Sequence, residues 1–353
     1  MAYTAINKSS LNFNTVLYTG NGASTRTVTG VGFKPDLVWG KERSSVGSNN
    51  WMDVVRTADN YIQSDTTAAA SNDATKLKSF DSNGFTVGDD GSINQNNATY
   101  ASWNWKAGTA VSGNSGGSGT AKAYSGSVNT TSGFSIIKYL GNGTAGHTIP
   151  HRLGEVPKMI LVKSLDRATN WMVYHSYLGG TKFLKLNLTT ASTTSNAIWY
   201  NTSPTSSVFT VGSDGDVNNN NENYIAYVFA EKQGYSKFGS YIGTGNVDGK
   251  FIYTGTKPSF VMFKKASSTG NWFMMNNKMF PANGINASGT DQKYLYANTN
   301  NNEQGGYGQT DILSNGFKAR SSDGDLNGSG VTYVYMSFGQ SIVGTNNVPC
   351  TAR

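Results

Sequence analysis

Residues 18–22 read Tyr18-Thr19-Gly20-Asn21-Gly22, and the chain writes this turn twice more, as Tyr139-Leu140-Gly141-Asn142-Gly143 and Tyr241-Ile242-Gly243-Thr244-Gly245. Each copy continues into a Pro-led strand ending in Lys: Pro35 to Lys41, Pro157 to Lys163, Pro258 to Lys264. An Asn-Trp pair follows (Asn50-Trp51, Asn170-Trp171, Asn271-Trp272), then a Phe strand at Phe85, Phe209 and Phe317. A Gly/Asp/Asn loop and a strand opening at Tyr100, Tyr224 or Tyr333 close the copy. A fixed order of aromatic and turn signals at long period marks a duplicated unit. The Pro-to-Trp interval is 16 residues in the first copy and 14 in the other two, and Phe-to-Tyr is 15, 15 and 16. Trp-to-Phe varies as 34, 38 and 45. Constant intervals belong to packed strands, variable ones to loops.

The composition agrees with an all-β chain. Charged residues make up 14%, aromatics 12% with 19 Tyr, and Gly numbers 42. Tyr, Val, Thr and Ile favour strands; Gly, Asn and Asp favour turns. Many short strands that each need one buried face predict three tandem β-sandwich, jelly-roll-like repeats. Their expected bounds are 1–108, 133–232 and 233–342. Residues 109–132, rich in Gly and Ser, read as a flexible linker that tethers the first unit loosely. Units two and three adjoin without such a stretch and are expected to pack rigidly. Residues 343–353 read as a C-terminal arm. Val54, Val55 and Ala58 recur at helical spacing and predict a short helix over Asp53 to Tyr61. Asp81-Ser82-Asn83-Gly84 reads as a hairpin turn.

Several function classes are disfavoured. The net charge of +7 is scattered, Lys264-Lys265 being the one adjacent basic pair, whereas nucleic-acid binding calls for a basic stripe. No apolar run is long enough for a membrane-spanning helix, and the polar stretch Met1 to Asn12 reads as no signal peptide. A single cysteine, Cys350, forms no internal disulfide framework.

Three groups of residues invite a chemical reading. Asp89 and Asp90, Asp214 and Asp216, and Asp323 and Asp325 sit in the repeated loop, each pair followed by Asn residues. Clustered hard oxygens make Ca²⁺ conceivable, but no Glu closes a twelve-residue Ca²⁺ loop, and Asp-Gly and Asn are also what tight turns use. The turn reading is preferred. Trp51, Trp171 and Trp272 suit either sugar stacking or anchoring between sheets, and their recurrence favours core. His147, His151 and His175 all fall in the second copy, and Pro150 opposes the helix on which a four-residue His spacing would bind metal. With five Glu, no recurring carboxylate pair, no nucleophile elbow, phosphate loop or zinc motif, no catalytic residue, cofactor or metal site is assigned, and the chain is read as a non-enzyme.

The first copy carries a recognisable pattern: Gly32-Phe33-Lys34-Pro35-Asp36-Leu37-Val38-Trp39, then Arg56, then Ser82-Asn83-Gly84-Phe85-Thr86-Val87-Gly88, and last Ala98-Thr99-Tyr100-Ala101-Ser102-Trp103-Asn104-Trp105-Lys106-Ala107-Gly108. This resembles a β-rich repeat domain of virion proteins of marine tailed bacteriophages, often labelled tail fibre or concanavalin-A-like structural protein. The resemblance is weaker in units two and three. It implies a β-rich fold, a virion location after assembly in the host cytoplasm, and contacts with other virion proteins and with copies of itself. It supplies no catalytic residues. Two roles follow as expectations: a capsid decoration or cement protein, and alternatively a receptor-binding tail fibre or tip protein recognising host glycans.

Overall fold

The computed structural model describes residues 4–279, 292–306 and 310–343. Within it each copy is a two-sheet β-sandwich. In unit 1 the large sheet orders Phe13–Thr19, Thr99–Trp105, Leu37–Glu42, Asn50–Asp53, Thr57–Gln63 and Ser71–Asn72, and the small sheet Arg26–Thr29, Gly84–Val87 and Leu77–Asp81. Unit 3 repeats this with Ser236–Ile242, Thr332–Ser341, Thr256–Lys265, Trp272–Asn276, Gln292–Tyr296 and Gln304–Gly306, over Phe251–Tyr253, Gly316–Ala319 and Thr310–Leu313. Unit 2 aligns Phe134–Leu140, Asn223–Phe229, Met159–Ser164, Met172–His175, Lys182–Lys185 and Thr193–Thr194 in the same order, over His147–Pro150 and Val208–Val211. The hairpin about residues 81–84 is present, closed between Asp81 and Gly84.

Each large sheet is buried on both faces. One face packs on its own small sheet, through residues such as Val38 and Phe85 in unit 1, Val162 and Phe209 in unit 2, and Phe263 and Phe317 in unit 3. The opposite faces of all three large sheets meet in one further core, where Trp39, Trp103 and Trp105 pack with Leu161, Tyr227 and Phe229 and with Met262, Met336 and Phe338. This is why Leu37-Val38-Trp39 and its counterparts run apolar without alternation: a strand covered on both sides has no solvent face.

The three units close head to tail. Leu165 O accepts from Ala70 N and Thr169 N donates to Thr67 O, both at 2.9 Å. Ala266 O and Gly270 N make the same pair of bonds with Ser192 N and Thr189 O, at 2.9 Å each. Arg43 O and Gly47 N make it with Glu303 N at 2.8 Å and Asn300 O at 2.9 Å. Unit 2 thus grips unit 1, unit 3 grips unit 2, and unit 1 grips unit 3, an approximate threefold ring made by one chain.

Three expectations are corrected. The stretch 109–132 is not a free linker: Thr109–Asn114 and Ala123–Asn129 add two strands to the large sheet of unit 2, and Gly116–Gly117 adds one to its small sheet. Backbone pairing needs no large side chains, and Tyr124 and Val128 supply the buried anchors. Unit 1 is therefore not loosely tethered; it shares the central core. The helix expected over Asp53 to Tyr61 is a turn between two strands, because the Asp53 carboxylate accepts from Val55 N and Arg56 N and Thr57 takes φ 74° as it opens the next strand. The arm at 343–353, with Cys350, lies outside the described residues except for Val343.

Candidate functional site

The repeated Asp/Asn loops are structural latches. Asp90, Asp214 and Asp323 each cap a one-turn helix, accepting from Ser92 N, Asp216 N and Asp325 N. The Asn that ends each helix is fully buried. Asn218 accepts from Asn142 N at 2.9 Å and donates to Thr144 O at 2.9 Å and Gly212 O at 2.7 Å. Asn94 does the same with Asn21 N, Ala23 O and Gly88 O, and Asn327 with Thr244 N, Asn246 O and Ser321 O. The side chain thereby pins the Gly-rich turn to the loop. The first Gly of that turn has no room for a Cβ, which would stand 2.0 Å from Gln95 O at Gly20, 2.1 Å from Asn219 O at Gly141 and 2.3 Å from Gly328 O at Gly243. The Tyr hydroxyls complete the latch: Tyr100, Tyr224 and Tyr333 donate to Gly91 O, Gly215 O and Gly324 O.

Most of the loop carboxylates are engaged within the protein. Asp90 bonds Lys76 Nζ at 2.8 Å; burial raises its pKa, but the hydrogen bonds from Lys76 and Ser92 outweigh that and hold the carboxyl below its ordinary value. Asp325 pairs with Lys265 at 2.7 Å. Asp216, lifted by burial and by the neighbouring Asp214 charge, faces Asn170 Nδ2 at 3.5 Å. Asp89 is exposed. Among the described residues no three His, Cys, Asp or Glu gather to hold a metal ion.

The Lys that ends each Pro-led strand is fully buried, and in units 2 and 3 it reaches across the seam to the preceding unit. Lys163 Nζ donates to Thr67 O, Arg167 O and Thr169 Oγ1, all at 3.2 Å. Lys264 Nζ donates to Thr189 O at 3.0 Å and Lys265 O at 2.8 Å, and Lys41 Nζ to Gly47 O. Burial pushes all three ammonium groups down to about 8. Each amine is held by carbonyls inside the protein and braces the end of its strand.

Trp51, Trp171 and Trp272 are all buried. Trp171 Nε1 reaches back to Gln63 O of unit 1 and Trp272 Nε1 to Lys185 O of unit 2, both at 2.9 Å. Trp51 is not their counterpart. Leu186 N bonds Trp171 O and Ala297 N bonds Trp272 O, whereas in unit 1 Ser64 N bonds Asn49 O. The position belongs to Asn49, two residues earlier, which is the extra two residues of the first Pro-to-Trp interval.

Each His is also engaged. His147 lies between Asn218 Oδ1 at 3.0 Å and Ser115 Oγ at 2.6 Å, His151 meets Thr205 O at 3.1 Å, and His175 meets Tyr335 O of unit 3 at 3.1 Å. Burial lowers all three, His175 to about 4. A buried cluster not read from sequence joins Asp53 and Arg56 to Tyr227 of unit 2: Arg56 Nε bonds Asp53 Oδ2 at 2.6 Å, and Tyr227 Oη donates to the same oxygen at 2.7 Å. Its members lie 174 residues apart at most, so no local pattern marks it. It ties unit 1 to unit 2 across their seam.

A family profile aligns with residues 8–341, across all three units and both junctions. The chain belongs to the DUF7483 family. That family is described as a domain of unknown function, and the DUF7483 region here is the whole ring and not one repeat of it. No curated protein and no solved structure matches the chain.

Proposed function

We propose that this DUF7483 chain is an accessory structural protein of a bacteriophage particle, a capsid decoration or cement protein at the particle surface. The observation that carries the reading is the use made of its polar groups. The repeated Asp, Asn, Lys and Trp positions are consumed in latches and seams that hold three sandwiches as one body, and the site so built is mechanical. The resemblance of the first copy to virion proteins gives this body its setting. In that setting its partners are other virion proteins and further copies of itself, and it performs no catalysis. A ring with approximate threefold symmetry matches a threefold or quasi-threefold position on a shell, because like symmetry lets each unit make an equivalent contact. The test is cryo-electron microscopy of the particle with the tagged chain. Density over capsid threefold positions is the expected result, and density confined to the tail overturns it.

A second reading, a receptor-binding tail fibre or tip protein for host glycans, draws on one observation. Phe251 and Tyr253 are exposed on the small sheet of unit 3, where units 1 and 2 carry Thr27 and Thr29, and Thr148 and Pro150, at the matching register. Exposed aromatic rings two residues apart on one strand face can stack on sugar rings. Glycan-array binding that is lost in Tyr253→Ala would favour this reading over decoration.

A further inference from the structure

Two of the three seams are closed by chain passing from one unit to the next, and each carries an internal carboxylate. The registers Leu37↔Trp105, Met159↔Phe229 and Phe260↔Phe338 make Asp36, Lys158 and Ser259 equivalent, and likewise Ala107, Glu231 and Gln340. Between units 1 and 2, Asp36 accepts from Ser127 Oγ at 3.1 Å and Ala107 N at 2.9 Å. Between units 2 and 3, Glu231 accepts from Lys237 Nζ at 2.6 Å and Phe238 N at 3.1 Å.

The third seam, between units 3 and 1, is different. Ser259 and Gln340 stand where the carboxylates would be, and a cleft of about 370 Å³ opens there. Lys8, Lys257 and Lys278 line it, and none of its lining residues among the described residues is acidic. Thr15 lines it too, 2% exposed, its Oγ1 buried with no hydrogen-bond partner among the described residues, as is Asn277 Oδ1. A buried hydroxyl and amide left unpaired are costly unless something enters to meet them.

We propose that this cleft binds an anionic group, a carboxylate or a phosphate, on a sugar-sized ligand, at the place where the other two seams hold a carboxylate of their own. The lysines supply the charge, Thr15 Oγ1 donates to the anion, and Asn277 receives a ligand hydroxyl. The volume lies at the small end of ligand sites, which suits a monosaccharide-sized molecule. Burial holds the Lys278 ammonium below its ordinary value, a cost that an adjacent anion relieves. The proposal stands independently of the particle location argued above.

The test is calorimetric titration of the full chain at low ionic strength, where screening is weakest. The probes are glucuronate, glucose 6-phosphate and glucose. Binding of at least one charged sugar and not of glucose is expected, with affinity at least tenfold weaker in the Lys257→Ala/Lys278→Ala double variant and unchanged in Lys182→Ala, a surface change in unit 2. Preference for glucuronate identifies a carboxylate ligand, and preference for glucose 6-phosphate a phosphate ligand. Thermal melts of the variants separate lost binding from lost folding. No binding of either charged sugar, equal binding of glucose, or undiminished affinity in a folded double variant overturns the proposal, as does a crystal structure with one of the protein's own carboxylates seated in the cleft.

Discussion

Asn49 of unit 1 occupies the place that Trp171 occupies in unit 2. Its backbone N bonds Asp65 Oδ1 at 2.7 Å as that of Trp171 bonds Asn187 Oδ1 at 2.9 Å, and its side chain crosses to unit 3 as the indole of Trp171 crosses to unit 1. The lost volume is made up by a neighbour. Trp39, whose register partners in the other units are Leu161 and Met262, donates Nε1 to Asn49 Oδ1 at 3.1 Å. Asn49→Trp therefore overpacks the centre and costs about 1–3 kcal/mol. Asn49→Trp combined with Trp39→Leu recreates the unit 2 arrangement and recovers most of that loss. Denaturant unfolding of the double-mutant cycle measures the coupling, and additive losses would refute the exchange.

The Gly-rich turn admits no side chain at its first Gly. Gly141→Ala, whose Cβ would stand 2.1 Å from Asn219 O, is expected to lower stability by about 3 kcal/mol or more, because backbone must move on both sides. Gly91→Ala is the contrast. Its nearest neighbour would lie at 3.8 Å and it begins a helical turn, so it should be neutral or stabilising by about 0.5–1 kcal/mol. Thermal melts of the two variants decide whether space or mere sequence pattern fixes these glycines.

The Asp loops act as caps, so calcium should not matter to the fold. Asn218→Ala removes an acceptor for Asn142 N and donors to Thr144 O and Gly212 O and should cost about 2–4 kcal/mol. Asp214→Ala should cost about 1 kcal/mol, as for the loss of a helix cap. Added Ca²⁺ should leave the melting temperature of the parent protein unchanged. A rise of several degrees that disappears in Asp214→Ala would restore the ion-binding reading.

Stability should depend on pH at both ends. His175 is held neutral by burial, its pKa about 4 against an ordinary 6.5. Between those values the unfolded chain binds a proton the folded chain lacks, so stability falls as pH drops through that window, by about 3 kcal/mol in full. His175→Asn, matching Asn276 of unit 3, should flatten this slope. The strand-ending lysines titrate near 8 when folded and near 10.5 when unfolded, so stability should rise between about pH 8 and 10. Above pH 10 the buried tyrosines, whose hydroxyls burial raises well above their ordinary value, reverse the trend. Lys163→Met should diminish the alkaline rise.

The sandwiches were legible because Phe85, Phe209 and Phe317, and the Tyr-led strands after them, keep their spacing in every copy. Their closure into a ring was less so. The unbroken apolar run Leu37-Val38-Trp39 fits burial on both faces, but beads on a string and a ring carry the same repeat, and what distinguishes them is the set of bonds between units 1 and 3, from Arg43, Gly47 and Asn49 to Glu303, Asn300 and Tyr296. A strand-ending Lys reads as a solvated end until a neighbour covers it. The Asn50-Trp51 pair misled because its letters match Asn170-Trp171 while its register does not.

The Gly/Ser stretch misled for a different reason, and it carries the last prediction. Strands are recognised by alternating apolar side chains, whereas Tyr124 to Asn129 hold their place by backbone pairing to the strand Phe134–Leu140, Thr109–Asn114 pair in turn with Ala123 to Val128, and both need small side chains to do so. A Cβ on Gly126 would lie 2.3 Å from Ile136 O, and the Tyr124 ring lies over Gly113, whose added Cβ would meet Tyr124 Oη at 3.0 Å. Gly126→Val should therefore peel these strands from the sheet edge without unfolding the ring, exposing the Ser125 to Val128 backbone. In the parent protein the amides of 124–128 should exchange slowly and resist proteolysis. In the variant they should exchange as fast as a free linker and be cut there, while the strand Asn223–Phe229 stays protected. Fast exchange at 124–128 in the parent protein would mean that the stretch is a linker after all and that the edge of unit 2 stands open.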